Sequence, residues 1–279
     1  MPAIDDFIRP SEWVSEFVTD LGKAIRAWGQ ERYVPIRQQI DEDWQEHALV
    51  KPLLKEILVD FGLNKAFFPR EAGGMEMPEA ATISNVLSEE LARIDSGFAV
   101  ACVCSVWGLV PILFEPHRNM ELCLEFGPKF CGDELYVGCH AMTEPAGGSD
   151  IENFGRIQGR TIQTTATLDG DELVVNGHKL WASNSGGVAD LYTVVCTTRK
   201  GSADPNDFAL ILVPADAKGV AVGNPYQKCG MAADMNSDIW FDHVRVPARY
   251  RLHGPGDDLK YWPRAITMGN LASAAMCVG

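Results

Sequence analysis

The sequence predicts an α+β multidomain fold with three parts: an N-terminal helical domain, a middle antiparallel β-barrel or sandwich, and the beginning of a C-terminal helical domain. Two observations support this prediction. Apolar residues recur at helical spacing in the first third of the chain and again near its end, whereas in the middle they recur at every second residue. We therefore place the domains at residues 1–133, 134–250 and 251–279.

The N-terminal domain is predicted from helical spacing that extends from Ser11 to Ile94. Gly62 is predicted to end the second helix, and residues 67–74 to form a loop because a proline and two glycines interrupt the period. A third helix begins near Pro78. A fourth, Gly97 to Phe114, is apolar nearly all round, so we expect it to lie buried between its neighbours.

The middle domain is predicted from the change of period after about Glu134. Asp169-Gly170 and Asn176-Gly177 are typical hairpin turns. No helical segment separates the strands, which favours an antiparallel sandwich or barrel over a doubly wound sheet. The helical pattern returns at about Leu259. Further predicted strands are Thr161–Leu168, Leu191–Thr197, Phe208–Val213 and Ile239–Val246.

The composition narrows the function classes. The chain has 279 residues, of which 46% are hydrophobic and 22% charged, as in ordinary globular proteins. The formal net charge of −14 would repel a phosphodiester backbone, which argues against general nucleic-acid binding. A small anionic ligand remains compatible with this charge, because a helix N-terminus or a local cluster can hold a phosphate.

The cysteines and the N-terminal residues bear on where in the cell the protein is located. Eight cysteines lie mostly inside apolar runs without the paired spacing of a zinc site, which predicts free buried thiols and no metal. Met1 to Arg9 is acidic and mixed, unlike a signal peptide, and no run approaches the roughly 20 apolar residues of a membrane span. We therefore expect a cytoplasmic protein without a membrane span.

The most informative segment is HAMTEPAGGSD, from His140 to Asp150. A strand is predicted to end at Met142, after which a threonine, a proline and two glycines open the backbone. Exposed N–H groups beside hydroxyls suit a ligand that takes many close hydrogen bonds, such as a flavin edge or a pyrophosphate. A plain glycine-rich loop between strands explains the same residues.

A second segment, NGHKLWASN from Asn176 to Asn184, is predicted to place Trp181 and Ser183 on one face of a strand after a tight turn. A planar ring alternating with a hydroxyl can stack on a planar cofactor and hydrogen-bond to it. A tryptophan in a strand is also a common core residue.

Together these segments resemble the acyl-CoA dehydrogenase family. Its TEPxxGSD loop is matched by residues 143–150, and its NGxKxWxxN stretch by residues 176–184. A third signature, a lysine and a glycine followed by a strand ending in VxVP, is matched between Lys228 and Pro247. The N-terminal part agrees more loosely, so the resemblance covers the chain from about residue 10.

The resemblance implies an N-terminal helical domain, a middle β domain and a C-terminal four-helix bundle, with FAD between the last two. It implies FAD-dependent dehydrogenation of an acyl-CoA thioester in fatty acid metabolism: a carboxylate removes the α proton while the β hydrogen leaves as hydride to the flavin. An electron-transfer flavoprotein is the expected electron acceptor. The expected assembly is a homotetramer or a heteromer.

The resemblance also assigns the cofactor-binding residues. Thr143 is expected to hydrogen-bond near the reactive edge of the flavin, and Trp181 to cover a ring face. Ser149 is also expected near the pantetheine arm of the substrate. A neutral imidazole at His140 would fill a position that is commonly aromatic in the family, and an ordinary core histidine explains it equally. The full set is His140, Met142, Thr143, Gly148, Ser149, Trp181, Ala182 and Ser183.

The catalytic base is not assigned. The family's usual glutamate would fall after Gly279, so we expect the base outside this chain. Some members instead place it early in the first bundle helix, before a common arginine, and those positions are here Gly269 and Asn270. Neither takes a proton as a carboxylate does. The nearby Asp257 and Asp258 are predicted to be solvated linker or N-cap residues.

Three functions therefore fit the sequence, and we favour the first. It is an FAD-dependent acyl-CoA dehydrogenase. The second is a non-catalytic flavin or acyl-CoA binding subunit that scaffolds an active partner, and the third is a related flavin monooxygenase or oxidase. The expected acyl wall, around residues 98–110, carries no charge that would match a second carboxylate, which disfavours dicarboxylic acyl groups.

Overall fold

The computed structural model of the protein describes residues 13–152 and 161–279. The segment Met1–Arg9 and the predicted start of helical spacing at Ser11 lie outside these residues. The described part confirms the predicted architecture: helices come first, a curled sheet follows, and a long helix ends the chain.

The N-terminal helices are mostly short. Gly62 has φ +75°, a conformation that favours glycine, and separates the third helix from the fourth. The helices that build this part are α1 Glu16–Trp28, α2 Arg37–Glu42, α3 Val50–Lys55, α4 Leu63–Phe67, α5 Ala80–Ala92, α6 Ser96–Trp107, α7 Val110–Leu113 and α8 Met120–Phe130.

The apolar helix predicted over Gly97–Phe114 is divided into α6 and α7. Asp95 caps α6 by accepting a hydrogen bond of 2.9 Å from the Phe98 N–H. Pro111 has no N–H to donate and lies in the first turn of α7, where a helix tolerates it, so a new helix begins there. As predicted, α6 is deeply buried: Phe98, Ala99 and Cys102 are at most 1% exposed.

The middle part is one seven-stranded sheet. In spatial order the strands are β1-β4-β2-β3-β7-β6, and β5 pairs with β4 outside this path. The side chains between the curled strands form a second hydrophobic cluster, separate from the larger one among the helices. The bounds are β1 Gly138–Ala141, β2 Thr165–Asp169, β3 Glu172–Lys179, β4 Leu191–Thr197, β5 Phe208–Pro214, β6 Val220–Val222 and β7 Ile239–Pro247.

The sheet differs from the antiparallel expectation in two pairings, because β4 runs parallel to β1 and to the end of β2. The hairpin predicted at Asp169-Gly170 joins β2 and β3. The turn predicted at Asn176-Gly177 is wrong. Both residues lie inside β3, where the register against β7 shifts between Val175 and Gly177. A Cβ on Gly177 would come within 2.6 Å of Thr164, so this site favours a glycine as a bulge residue rather than as a turn residue.

The last helix, α9, comprises Asp257–Met276 and packs against α5, α6 and α7. Its Trp262 is fully buried. Among residues 13–152 and 161–279, no helix combines the length and the apolar character needed to cross a bilayer.

The cysteine thiols differ in solvent exposure more than predicted. Most are buried, but Cys104 is half-buried, and Cys229 and Cys277 are exposed. The prediction of buried thiols came from the apolar neighbours that most of the cysteines have along the chain. Cys229 instead lies in a surface loop, and Cys277 follows the last turn of α9. In the part of the chain that the structure describes, no three His, Cys, Asp or Glu side chains are grouped so that they could hold a metal ion.

Candidate functional site

The two motif segments lie side by side. β1 leads into Met142 and Thr143, and β3 ends at Lys179. The Leu180 N–H donates a hydrogen bond of 3.1 Å to the Thr143 carbonyl, which joins the backbones where the strands end. The structure therefore brings Thr143 and Trp181 into one surface region.

A buried ion pair strengthens this junction. The Lys179 ammonium lies 2.7 Å from the Glu144 carboxylate, and both side chains are at most 1% exposed. Lys179 also donates to the Met142 carbonyl at 2.8 Å, and Glu144 accepts from the backbone N–H groups of Gln163 and Thr164. Burial alone would raise the pKa of Glu144, but Lys179 and these donors hold that pKa below its ordinary value.

In the sequence, Glu144 and Lys179 served only to match the two motifs, and no role in the site was predicted for either. Two opposite charges inside otherwise apolar strand and loop segments were the available signal, because such charges are rarely buried unless they are paired.

The loop after Glu144 exposes hydroxyls. Glu144 and Gly147 exchange backbone hydrogen bonds of 2.8 and 3.1 Å, which closes a tight turn. The Gly148 N–H is occupied by the Asp150 carboxylate at 2.7 Å. Within the described ranges no hydrogen bond engages the hydroxyls of half-buried Thr143 or exposed Ser149, so both remain available to a ligand.

The prediction that Trp181 and Ser183 lie on one face of a strand is wrong, because β3 ends at Lys179 and both residues follow it. Trp181 lies two residues beyond β3 with φ +64°, and its side chain is 55% exposed. Tyr226 packs against its ring with the centroids 4.2 Å apart, while the Trp181 carbonyl accepts from Asn236 at 2.9 Å. The indole is thus supported by Tyr226 and still presents a large apolar area to solvent.

Beyond Trp181, Ala182 is buried, and the Ser183 hydroxyl donates to the Asp234 carboxylate at 3.0 Å. Asp234 is 5% exposed, and burial raises its pKa although Lys228 opposes this shift. The Lys228 ammonium lies 3.8 Å from that carboxylate and donates to the Asp234 carbonyl at 2.5 Å. The third motif is therefore part of the same site, under the segment that carries Ser183.

His140 lies in the interior, 4% exposed, behind the loop that carries Thr143. The Trp262 indole N–H donates to its Nε2 at 3.1 Å, and the Trp107 ring meets it edge-on at 4.9 Å. Burial lowers the pKa of His140 to about 3, so the imidazole is neutral at physiological pH. The environment is that of a core histidine between β1, α6 and α9.

A cleft lies between α6 and α9, beside this site. Its volume is about 190 Å³. Gly269 and Asn270 line it, and neither residue has a carboxylate side chain. Glu152 is the carboxyl group among the described residues that line the cleft. Sequence reasoning missed Glu152, because it lies just past the motif and nothing in its spacing connects it to α9.

The expectation for Asp258 is wrong. Asp257 is exposed, but Asp258 is fully buried in the first turn of α9, where the Arg251 guanidinium lies 2.5 Å from its carboxylate. The His253 N–H donates to it at 3.0 Å. Burial raises the pKa of Asp258 to about 6. Asp258 therefore anchors the helix to the chain before it and is not a solvated linker residue.

Comparison with known proteins identifies relatives of this structure. The family profiles described as Acyl-CoA dehydrogenase, N-terminal domain, and Acyl-CoA dehydrogenase, middle domain, match residues 16–115 and 139–244. Cyclohexane-1-carbonyl-CoA dehydrogenase of Syntrophus aciditrophicus (strain SB) is 28% identical over 256 residues, which are 92% of this chain and 62% of that protein. The chain spans about three fifths of the length of the curated relatives it matches.

Solved structures with a similar fold also include acyl-CoA dehydrogenases. Butyryl-CoA dehydrogenase from Megasphaera elsdenii has the same fold, with a TM-score of 0.79 at 24% identity over 94% of this chain and 65% of that chain. An acyl-CoA dehydrogenase from Bacillus anthracis, complexed with FAD, has a TM-score of 0.76 at 25% identity over 93% of this chain and 41% of that chain.

Proposed function

The chain belongs to the acyl-CoA dehydrogenase family through its N-terminal and middle domains, and from this premise we propose that it binds FAD and takes part in the dehydrogenation of an acyl-CoA thioester to a 2,3-enoyl-CoA. One observation carries the proposal. The exposed indole of Trp181 lies next to the loop that bears the Thr143 and Ser149 hydroxyls, which no hydrogen bond engages among residues 13–152 and 161–279. The Glu144–Lys179 pair holds the two segments together. The FAD bound to the related Bacillus anthracis structure supports the choice of cofactor.

The residues present fit a planar heterocycle with polar edges. Trp181 offers a flat apolar surface for one face of the ring, and Thr143 offers a hydroxyl for its edge. Ser183 already donates to Asp234, so its oxygen is left to accept a hydrogen bond. Met142, Gly148 and Ala182 belong to the same two segments and complete the proposed set with His140, which lies buried in the strand before the loop.

The FAD would accept the β hydrogen as hydride, and the chain would bind and orient the thioester. Ser149 is exposed at the end of the loop, where it would contact the pantetheine arm. A reduced flavin needs an oxidant, and we propose an electron-transfer flavoprotein. A homotetramer or a heteromer is the proposed assembly.

Removal of the α proton requires a base. Gly269 and Asn270 carry no carboxyl group, so we propose that the base lies outside these 279 residues. Glu152 is the alternative inside the described chain, because it lines the cleft beside Gly269. If Glu152 is the base, Glu152→Gln abolishes flavin bleaching by an acyl-CoA without weakening FAD binding.

The proposal is tested by FAD binding to two variants. Trp181→Ala should weaken FAD binding about fivefold or more, because stacking of a planar base on an aromatic side chain is worth about 1–3 kcal/mol. Thr143→Ala should weaken it about fivefold through the loss of one hydrogen bond worth about 1 kcal/mol. Both are measured by titrating FAD into the flavin-free protein and following quenching of its fluorescence.

Trp13→Ala is the matched control, because Trp13 is also exposed but lies before α1. It should leave the FAD affinity unchanged. Equal affinity of the wild type and of both site variants would refute the assignment of the site. Anaerobic addition of acyl-CoA thioesters then tests the reaction by loss of flavin absorbance, and oxygen consumption with substrate would instead indicate an oxidase.

The missing carboxylate at Gly269 favours a second candidate, a non-catalytic subunit that binds flavin or acyl-CoA and scaffolds an active partner. Such a subunit would retain flavin that no thioester bleaches, and it would co-purify with a longer chain, which mass analysis would detect.

A further inference from the structure

The Trp107 side chain lines two cavities. The larger one, here called the outer cavity, is the cleft of about 190 Å³, whose lining includes Glu152 and Asn270. The inner one holds only about 20 Å³ and is walled almost entirely by apolar side chains of α4 to α7 and α9. Val103, Trp107 and Gly269 line both, so Trp107 lies at the boundary between them.

The indole of Trp107 is held at this boundary. Its N–H donates to the Ala265 carbonyl of α9, and its ring meets His140 edge-on at 4.9 Å. Gly269 faces the ring: a Cβ at position 269 would lie 2.7–2.8 Å from three indole atoms, closer than real side chains approach. A side chain at 269 and the indole at 107 are therefore mutually exclusive in this arrangement, and the indole occupies the space.

The outer cleft adjoins the proposed cofactor site. Cys104 lines the cleft, and its thiol lies close enough to Ser183, in the segment that follows Trp181, for that hydroxyl to oppose the rise in the pKa of Cys104 that burial causes. A group in the cleft would contact Cys104, Val103 and the indole of Trp107, which line it together. The inner cavity, which the indole also lines, has room for no more than about one water-sized group.

We propose that Trp107 is a specificity-determining residue that closes the acyl cleft at its inner end. The protein would then accept compact acyl groups, up to about the size of a six-carbon ring, and exclude long linear chains. Cavities of about 150 Å³ hold a benzene molecule, which sets this size. This inference rests on the proposed function, since it takes the cleft as the place of the acyl group.

The test compares the affinities of the FAD-loaded protein for butanoyl-, octanoyl- and dodecanoyl-CoA by isothermal titration calorimetry, which requires no turnover. In the wild type, octanoyl- and dodecanoyl-CoA should bind no more tightly than butanoyl-CoA. In Trp107→Ala the two cavities merge, and each methylene that enters should add about fourfold in affinity. The ratio of octanoyl- to butanoyl-CoA affinity should therefore rise at least tenfold.

Val110→Ala is the matched control, because it enlarges the inner cavity and leaves the indole in place. It should keep the wild-type length profile. If Trp107→Ala does not fold, as judged by circular dichroism, Trp107→Phe replaces it. Its smaller ring opens part of the boundary, so a rise of the same ratio by a few fold is expected.

Two failures are distinguishable. A wild type that binds dodecanoyl-CoA more tightly than butanoyl-CoA, or a Trp107 variant with the wild-type profile, would overturn the role of Trp107 and leave the proposed function standing. A wild type that binds none of the three thioesters would overturn the proposed function itself.

Discussion

His140 belongs to the first motif segment, but its side chain packs in the protein interior. Its Nε2 accepts from Trp262, which requires that nitrogen to be unprotonated. Its Nδ1 is buried without a partner among the described residues. The neutral ring therefore carries its proton on Nδ1, and a charged imidazole would add a second proton on Nε2, facing the Trp262 N–H. Burial disfavours this charged form and lowers the pKa to about 3.

This pKa predicts acid sensitivity. The unfolded imidazole takes up a proton below about pH 6.5, while the folded one stays neutral down to about pH 3, so stability falls as the pH drops through this range. The slope from this group is at most about 1.4 kcal/mol per pH unit. His140→Gln keeps an acceptor for Trp262 and should flatten the curve of unfolding free energy between pH 6.5 and 4.5, as measured with urea.

His243→Gln serves as the comparison, because that imidazole is 80% exposed. Its curve should follow the wild type. If His140→Gln keeps the wild-type slope below pH 6.5, the buried neutral state assigned to His140 is wrong.

At the scale of elements, the end of β3 and the loop after β1 form one unit. Three interactions cross the junction: the Leu180 hydrogen bond to the Thr143 carbonyl, the Lys179 bond to the Met142 carbonyl, and the Glu144–Lys179 pair. Because the ion pair is buried, removal of one partner leaves a charge without compensation.

We therefore expect Lys179→Met to reduce the free energy of unfolding by about 3–5 kcal/mol, since Glu144 is left as an unpaired buried carboxylate. Adding Glu144→Gln should recover part of this loss, because it removes the buried charge while the amide oxygen still accepts from one of the two N–H groups, of Gln163 and Thr164, that the two carboxylate oxygens engage. Chemical denaturation of the single and double variants measures the effect.

Lys23→Met is the control, since it breaks an exposed pair with Asp20 that should contribute less than about 1 kcal/mol. A double variant less stable than Lys179→Met alone would argue against an uncompensated Glu144 charge as the cause.

At the scale of the whole molecule, α6 packs directly onto β1. A Cβ on Gly138 would lie 2.1 Å from the Ser105 carbonyl oxygen, so only hydrogen fits between the helix and the strand. Asn184 links the same two elements, because its amide donates to the Ala101 carbonyl at 3.0 Å and to the Gly138 carbonyl at 3.2 Å. The helical part and the sheet are thus joined by backbone contact as well as by side chains.

Gly138→Ala should separate the helix from the sheet and lower the free energy of unfolding by about 1–3 kcal/mol or more. The expected readout is a lower denaturation midpoint. Gly230→Ala provides the comparison, since nothing lies within 4 Å of a Cβ there. Equal stability of the two variants would show that α6 is free to move away from β1.

Much of the fold was predictable because local spacing reports which face of an element is buried. The helices before residue 131, the hairpin at Gly170 and the helix after Leu259 follow from such patterns. The candidate site was predictable from its motifs, since Thr143 and Trp181 belong to segments whose residue types suit a planar ligand.

Other features were decided only in three dimensions. The parallel pairing of β1 with β4, the burial of Asp258 beside Arg251, and the fit of Trp107 into the space left by Gly269 each join distinct parts of the fold. Periodicity predicts which face of an element is buried but not which element packs against it. The free-energy cost of burying a charge depends on whether an opposite charge lies beside it in the folded chain. The sequence by itself therefore determined the elements and the chemistry of the motifs. Tertiary packing decided which of those residues are exposed at the candidate site, as Trp181 is, and which face the core, as His140 does.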